Sequence, residues 1–97
     1  MNMLPLSEAT TAGRDFASDV RKFVLKSFPR ARTKEVKNSD SLLESGLIDS
    51  LGVLDVVAFI EREYSTIVEE EELSPENFQT IDRIAAFIRS KTARRVA

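Results

Sequence analysis

The chain changes from a loop to a helix within residues 44–54, which read Glu-Ser-Gly-Leu-Ile-Asp-Ser-Leu-Gly-Val-Leu. Gly46 can take a positive φ just before the helix, and Asp49 is a suitable N-cap. Ser50 then stands at the first helical position, where its hydroxyl can point outward, away from core packing. Because the 97-residue chain has no Cys and no His, a reactive group for group-transfer chemistry has to be attached to it. Ser50 is the natural point of attachment.

Apolar residues at helical spacing on both sides of this segment predict three main helices and one short one. The first is predicted over residues 11–28 and stops before a proline. The second is predicted over residues 50–64, and the last begins after a cap at Thr80. A proline at the first position predicts a short helical turn at residues 74–78. The side chains predicted to face the core are Phe16, Val20, Phe23, Val24, Phe28, Val53, Val56, Val57, Ile60, Tyr64, Phe78, Ile81, Ile84, Ala85 and Ile88.

These elements define the expected fold class, because no segment has a convincing strand pattern. We predict an all-α protein, a small four-helix bundle in which the apolar faces of the helices pack against each other. A long loop at residues 29–48 connects the first two main helices. Its leucines are expected to anchor it across the helices. We expect a flexible leader at residues 1–9, a helical domain at 10–92 and a basic tail at 93–97.

The composition limits the possible chemistry and location. Hydrophobic residues make up 42% and charged residues 31%, which is typical of a soluble globular domain. No apolar run is long enough for a membrane helix, so membrane insertion is not expected. Without His or Cys, the common zinc sites and Ser-His or Cys-His pairs are unavailable. The lack of cysteine and of a secretory signal pattern makes a cytoplasmic location the default.

Charge is unevenly distributed along the chain. Residues 1–40 carry +3, residues 41–79 carry −9 and residues 80–97 carry +4. An acidic block of this kind repels nucleic acid and attracts basic protein surfaces, although a merely solvated acidic face explains it equally well. The run Glu69–Glu72 predicts an exposed loop. A calcium loop is disfavoured there, because the alternating oxygen ligands and central glycine are missing.

Several residues of the second helix are predicted to face outward. Leu51, Leu54 and Ala58 would form a small apolar strip beside Ser50, ringed by acids. Two outward leucines can also be ordinary surface residues.

Five segments in a fixed order resemble the acyl carrier proteins of the phosphopantetheine-binding superfamily. They are the stripe from Phe16 to Phe28 and residues 44–51, 59–64, 73–78 and 80–88. The resemblance implies that Ser50, the serine of an Asp-Ser-Leu motif, is esterified with 4′-phosphopantetheine from coenzyme A. The arm's thiol would then carry acyl or aminoacyl groups as thioesters, since a thiolate is a good nucleophile and leaving group.

The resemblance also implies roles for the neighbours of Ser50. Asp49 caps the helix and orients the serine, or caps only. Apolar residues would dock on partner enzymes, and acidic residues, Glu63 among them, would steer basic partner surfaces. The partner-binding set predicted in this way is Leu51, Leu54, Asp55, Ala58 and Glu61.

The Gly-Leu-Ile-Asp-Ser form is similar to stand-alone aminoacyl, peptidyl, polyketide or D-alanine carriers more than to a housekeeping fatty-acid carrier. The implied partners are a phosphopantetheinyl transferase, an acyl- or aminoacyl-loading (adenylating) enzyme, and a downstream transferase or synthase. The protein itself would be a monomeric, non-catalytic carrier. Two alternatives stay open at this point: an unmodified helical protein–protein interaction module, and a small hydrolase that uses carboxylates such as Glu44 and Asp49.

Overall fold

The computed structural model describes residues 15–96, and this part of the chain is a bundle of α-helices without any strand. The predicted all-α class and small helical bundle are confirmed. The helices are α1 (Phe16–Ser27), α2 (Pro29–Thr33), α3 (Ser50–Tyr64), α4 (Pro75–Phe78) and α5 (Ile81–Val96), with a 3₁₀ turn at Glu70–Glu72.

Helix α1 begins later than predicted, and α5 continues into the segment that was expected to be a tail. Helix α1 begins at Phe16, because Asp15 has an extended backbone and its carboxylate accepts a hydrogen bond from the Ser18 N–H at 3.1 Å. The predicted helical residues 11–14 and the leader 1–9 lie outside the described residues. Helix α5 continues to Val96, so most of the segment predicted as a tail extends the last helix.

The connection between α1 and α3 contains a helix that sequence reasoning missed. Pro29 occupies the first position of α2, where its lack of an N–H costs nothing. A five-residue helix is too short for an apolar period, so no pattern indicated it. The rest of the loop is anchored as predicted. The Leu42 N–H donates to the Gln79 carbonyl at 2.7 Å, the Ile48 N–H donates to the Leu42 carbonyl at 3.0 Å, and both side chains are buried.

The core lies between α1, α3 and α5, and most of the predicted inward residues line it. Four of them are only half-buried: Phe23, Phe28, Val53 and Val57. Phe23 lies at the edge of the core, stacked on the buried ring of Phe59 with 4.4 Å between centroids. The buried hydrophobic residues are Phe16, Val20, Val24, Ala31, Val36, Leu42, Leu47, Ile48, Val56, Phe59, Ile60, Tyr64, Phe78, Ile81, Ile84, Ala85, Phe87 and Ile88.

Glu69, Glu70 and Glu71 are exposed as predicted, but residues 70–72 form a 3₁₀ turn and Glu72 is half-buried. Glu69 and Glu72 form a capping box around the 3₁₀ turn. The Glu72 carboxylate also lies 2.7 Å from the ammonium group of Lys91, which is buried on α5. The Glu72 carbonyl accepts a hydrogen bond from the Asn77 side chain at 2.9 Å. The ion pair of Glu72 with Lys91 therefore connects the segment before α4 to α5. The sequence pattern gave no sign of this, because the two charges are far apart in sequence.

This ion pair leads to a stability prediction. Glu72→Gln keeps the shape of the side chain but removes the charge that faces a buried ammonium group. We expect it to lower the free energy of unfolding by about 1–2 kcal/mol, since hydrogen bonds to charged groups in partly buried settings are worth more than surface pairs. Glu71→Gln is the matched control on the exposed neighbour, and it should change stability by less than about 0.5 kcal/mol. Urea unfolding measures both, and equal losses would contradict the pairing.

None of the helices within residues 15–96 is long and apolar enough to cross a bilayer. Within the same residues, no group of three or more carboxylate side chains is placed to hold a metal ion.

Candidate functional site

The start of α3 has the local geometry expected from its sequence. Asp49 is extended, with φ −105° and ψ −170°, and its Oδ1 accepts a hydrogen bond from the Gly52 N–H at 2.8 Å. The Asp49 carbonyl accepts the first helical bond, from the Val53 N–H at 3.0 Å. Gly46, with φ 80°, makes the turn that brings the chain to this cap. The predicted helix boundaries, 50 and 64, are confirmed.

Ser50 is exposed at the first position of α3. Among the described residues, its hydroxyl makes no hydrogen bond, and the backbone N–H groups of Ser50 and Leu51 have no acceptor. A helix N-terminus carries a partial positive charge from such free N–H groups, and it favours phosphate. The serine oxygen is therefore accessible, and the backbone around it suits a phosphate ester.

Close packing under the first turn holds this geometry in place. A Cβ atom added to Gly52 would lie 2.8 Å from Ile48 Cγ2 and 3.0 Å from Phe28 Cε1. Only a residue without a side chain fits between these two groups. Gly52 thus lets the first turn of α3 sit directly on the loop that precedes Ser50.

An apolar groove of about 270 Å³ opens next to Ser50. It runs between α3 and α4, and the buried ring of Phe78 forms part of its lining. No sequence pattern indicated this groove, because its walls come from three separate segments. The lining residues are Leu43, Ser50, Val53, Leu54, Leu73, Pro75 and Phe78.

The residues predicted to bind partners are not all equivalent in the structure. Leu51 and Leu54 are 73% and 54% exposed, and Asp55 and Ala58 are also exposed. They follow Ser50 on the first turns of α3, so the structure brings them together. Their role in binding stays a prediction.

Glu61 is different from the other predicted partner residues. Its side chain is half-buried, and its carboxylate accepts a hydrogen bond from the Val68 N–H at 2.9 Å. Glu61 is about 16 Å from Ser50 along the axis of α3, because each helical residue adds about 1.5 Å. Its observed contact is structural, since it holds the loop that follows α3.

The Asp49 cap leads to a second stability prediction. Asp49→Ala removes the acceptor of the Gly52 N–H, and we expect a loss of about 1 kcal/mol in unfolding free energy. Asp49→Asn keeps an acceptor oxygen and should recover most of that loss. Thermal melts of the two variants test the cap. Equal destabilisation by both would show that charge, and not capping, is what the site requires.

The two carboxylates considered for hydrolysis have separate structural roles. Asp49 is engaged by Gly52, whereas Glu44 lies 3.5 Å from the side-chain amide of Gln79. Glu44 lines a different groove from the one beside Ser50, with Lys34, Val36 and Leu47.

Comparison with known protein families identifies the class to which this site belongs. Residues 24–88 match the model of the family described as phosphopantetheine attachment site. The match covers most of the chain, and the protein therefore belongs to this family. No curated protein shows significant similarity to the chain.

Membership of the family establishes the cofactor and the general role. The chain carries covalently attached 4′-phosphopantetheine. Domains of this family are non-catalytic carriers that a phosphopantetheinyl transferase modifies, and they interact with loading and synthase enzymes. The alternative of an unmodified interaction module is therefore not retained.

Proposed function

We propose that Ser50 is the residue that carries the arm, and that the protein holds acyl or aminoacyl cargo as a thioester on it. The observation that carries this proposal is an exposed serine hydroxyl, without a hydrogen-bond partner in residues 15–96, at the first position of a capped helix. It lies within the matched residues 24–88. Helix packing leaves this oxygen accessible to a modifying enzyme.

The chain's own residues would assist the attachment in a limited way. Ser50 Oγ loses its proton and forms the ester bond to phosphorus, while the pyrophosphate bond of coenzyme A breaks and the nucleotide leaves. Asp49 Oδ1 accepts the Gly52 N–H and fixes the first turn of α3, and the proton of Ser50 would pass to a base of the transferase. The free N–H groups of Ser50 and Leu51 are available to stabilise the phosphate. When bound, the arm supplies the thiol that this cysteine-free chain lacks.

The groove beside Ser50 supports a role in holding cargo. Its apolar walls, Val53, Leu54, Leu73 and Phe78 among them, would shelter the apolar part of a tethered acyl group from water. Leu51 and the exposed part of Leu54 would dock on partner enzymes, with Asp55 steering basic surfaces. Asp49 completes the proposed arm-attachment site, and Ala58 and Glu61 complete the proposed partner-binding residues. Glu61 would contribute indirectly, because its carboxylate holds the loop that follows α3.

The proposed cargo class follows from the sequence resemblance. The Gly-Leu-Ile-Asp-Ser segment favours a stand-alone carrier of the aminoacyl, peptidyl, polyketide or D-alanine type, served by an adenylating enzyme in the cytoplasm. A downstream transferase or synthase would take the cargo. The arm is chemically the same for all of these cargoes, so the partner enzymes would select the cargo.

The test combines mass and thiol measurements on the full chain. Incubation with coenzyme A and a phosphopantetheinyl transferase of broad specificity should add the mass of one arm. A thiol reagent should then label one site per chain. The chain contains no Cys, so the background before treatment should be zero. Fragmentation should locate the added mass on the peptide containing Ser50.

Two results would contradict the proposal. Modification at another hydroxyl would move the site away from Ser50. Failure of several transferases that modify other carriers under the same conditions would remove the proposed attachment altogether.

A further inference from the structure

A basic surface on α1, α2 and the segment after them has no role in the function proposed above. We call it the basic face, and it consists of Lys22, Lys26, Arg30, Arg32, Lys34 and Lys37, all of them exposed. Between residues 21 and 37 the chain has seven bases and one acid, Glu35. The contrast is sharp in a chain whose middle third is strongly acidic.

Several carboxylates lie near the basic face, among them Glu35 and Asp40 beside Lys34, but within the described residues they form no ion pair with its lysines. Like charges at this density repel each other and lower the stability of the fold. Lys26 lies in the last turn of α1, and Arg30 and Arg32 lie in the last turn of α2, where the helix dipole favours cations. The dipole does not account for Lys22 and Lys37.

Two of the arginines are held in place before any partner arrives. Arg32 donates from Nη1 to the Leu25 carbonyl at 2.7 Å, and Arg30 donates from Nη1 to the Gly46 carbonyl at 3.3 Å. These contacts join α2 to the end of α1 and to the loop before α3. Side chains restrained in this way lose less conformational entropy when they bind an anion.

A shallow groove of about 300 Å³ continues the basic face between α1 and α3. The stacked rings of Phe23 and Phe59 line it, and three cations, Lys22, Lys26 and Arg62, stand around it. Asp19 and Glu63 also line it, and both are engaged in other contacts. Three cations outnumber the two carboxylates around this apolar floor, which fits an apolar anchor next to a carboxylate.

We propose that the basic face docks a carboxylate-rich segment of a partner protein, separately from the surface around Ser50. A lipid surface fits less well, because interfacial helices insert exposed apolar side chains. The exposed large apolar residues in the described chain, Leu51, Leu54, Ile67 and Leu73, all lie outside the basic face. A nucleic acid fits less well, because the acidic middle of so small a domain repels it. The structure thus assigns two oppositely charged docking surfaces to one carrier.

A short poly-L-glutamate peptide is the probe that tests this proposal. Titrated into the isotope-labelled full chain at low salt, it should shift the backbone amide signals of α1 and α2 and leave those of α3 near Ser50 unchanged. Binding should weaken as salt rises, since exposed charges are screened. Modified and unmodified chains should bind alike, so the result does not depend on the arm.

Charge reversal identifies the residues responsible. Lys26→Glu and Lys22→Glu should each weaken peptide binding about fivefold. Arg83→Glu is the matched control, with the same charge change at an exposed position on α5, and it should weaken binding less than about twofold. Circular dichroism of each variant establishes that the helices are retained.

Several results would overturn the proposal. They are signal shifts centred on another surface, equal losses for Lys26→Glu and Arg83→Glu, or no binding at low salt. Tighter binding of anionic lipid vesicles or of an oligonucleotide to the same residues would identify a different partner class. Self-association of the chain that disappears on Lys26→Glu would identify a second copy as the occupant.

Discussion

Ser50→Ala is expected to abolish phosphopantetheine attachment completely. The substitution removes the oxygen on which the ester would form, and the described residues offer no second serine at the first position of a long helix. The loss should be total, because a methyl group cannot be esterified. Intact-mass measurement after transferase treatment should show no added arm, and thiol labelling should stay at zero.

The control for this variant is Ser39→Ala. Ser39 is exposed in the connection between α2 and α3 and makes no hydrogen bond within the described residues. Its loss removes the same hydroxyl from a position without the helix N-terminus, so modification should proceed as in the natural chain. A Ser50→Ala chain that still gains the arm would contradict the assignment. A folded Ser50→Ala chain, shown by an unchanged melting curve, excludes unfolding as the cause of a loss.

Phe78→Ala is expected to be the most destabilising of the substitutions considered. Its ring is 1% exposed and contacts Phe87 with 5.7 Å between centroids. Removing it leaves a cavity beneath α4 and α5, which costs about 3–5 kcal/mol in unfolding free energy. A domain of this size has a total stability of only about 5–10 kcal/mol. Its melting temperature should therefore fall by about 15–30 °C.

Leu51→Ala is the matched control for Phe78→Ala. Leu51 is a large apolar residue next to Ser50, and it is 73% exposed. Its replacement by alanine should therefore change the free energy of unfolding by less than about 0.5 kcal/mol. Urea unfolding followed by far-ultraviolet circular dichroism measures both. Similar losses for the two variants would show that Phe78 does not occupy the core.

Some features of the protein follow from local sequence alone. The start of α3 could be predicted to the residue, because a cap and the first helical turn depend on interactions between positions three or four apart. Asp49, Ser50 and Gly52 are close enough in sequence for their relation to be visible there. Likewise Ile81, Ile84, Ala85 and Ile88 of α5 follow from a helical period that any fold would have to bury, whereas the burial of Phe87 and Lys91 was not predicted.

Other features were decided by contacts between distant segments. Phe23 was predicted to be in the core and lies at its edge, because helix periodicity gives a direction but not the depth of the neighbouring element. Glu72 was predicted to be solvated and is paired with Lys91, because a charge run shows repulsion but not a partner on another helix.

The proposed attachment site also combines local features with features that depend on packing. The serine, its cap and the short-range geometry of the turn were determined by residues adjacent in the chain. The bases at positions 22–37 are already visible as a run in the sequence. The groove beside Ser50 was decided only when the helices packed, because its walls come from three segments that tertiary packing brings together.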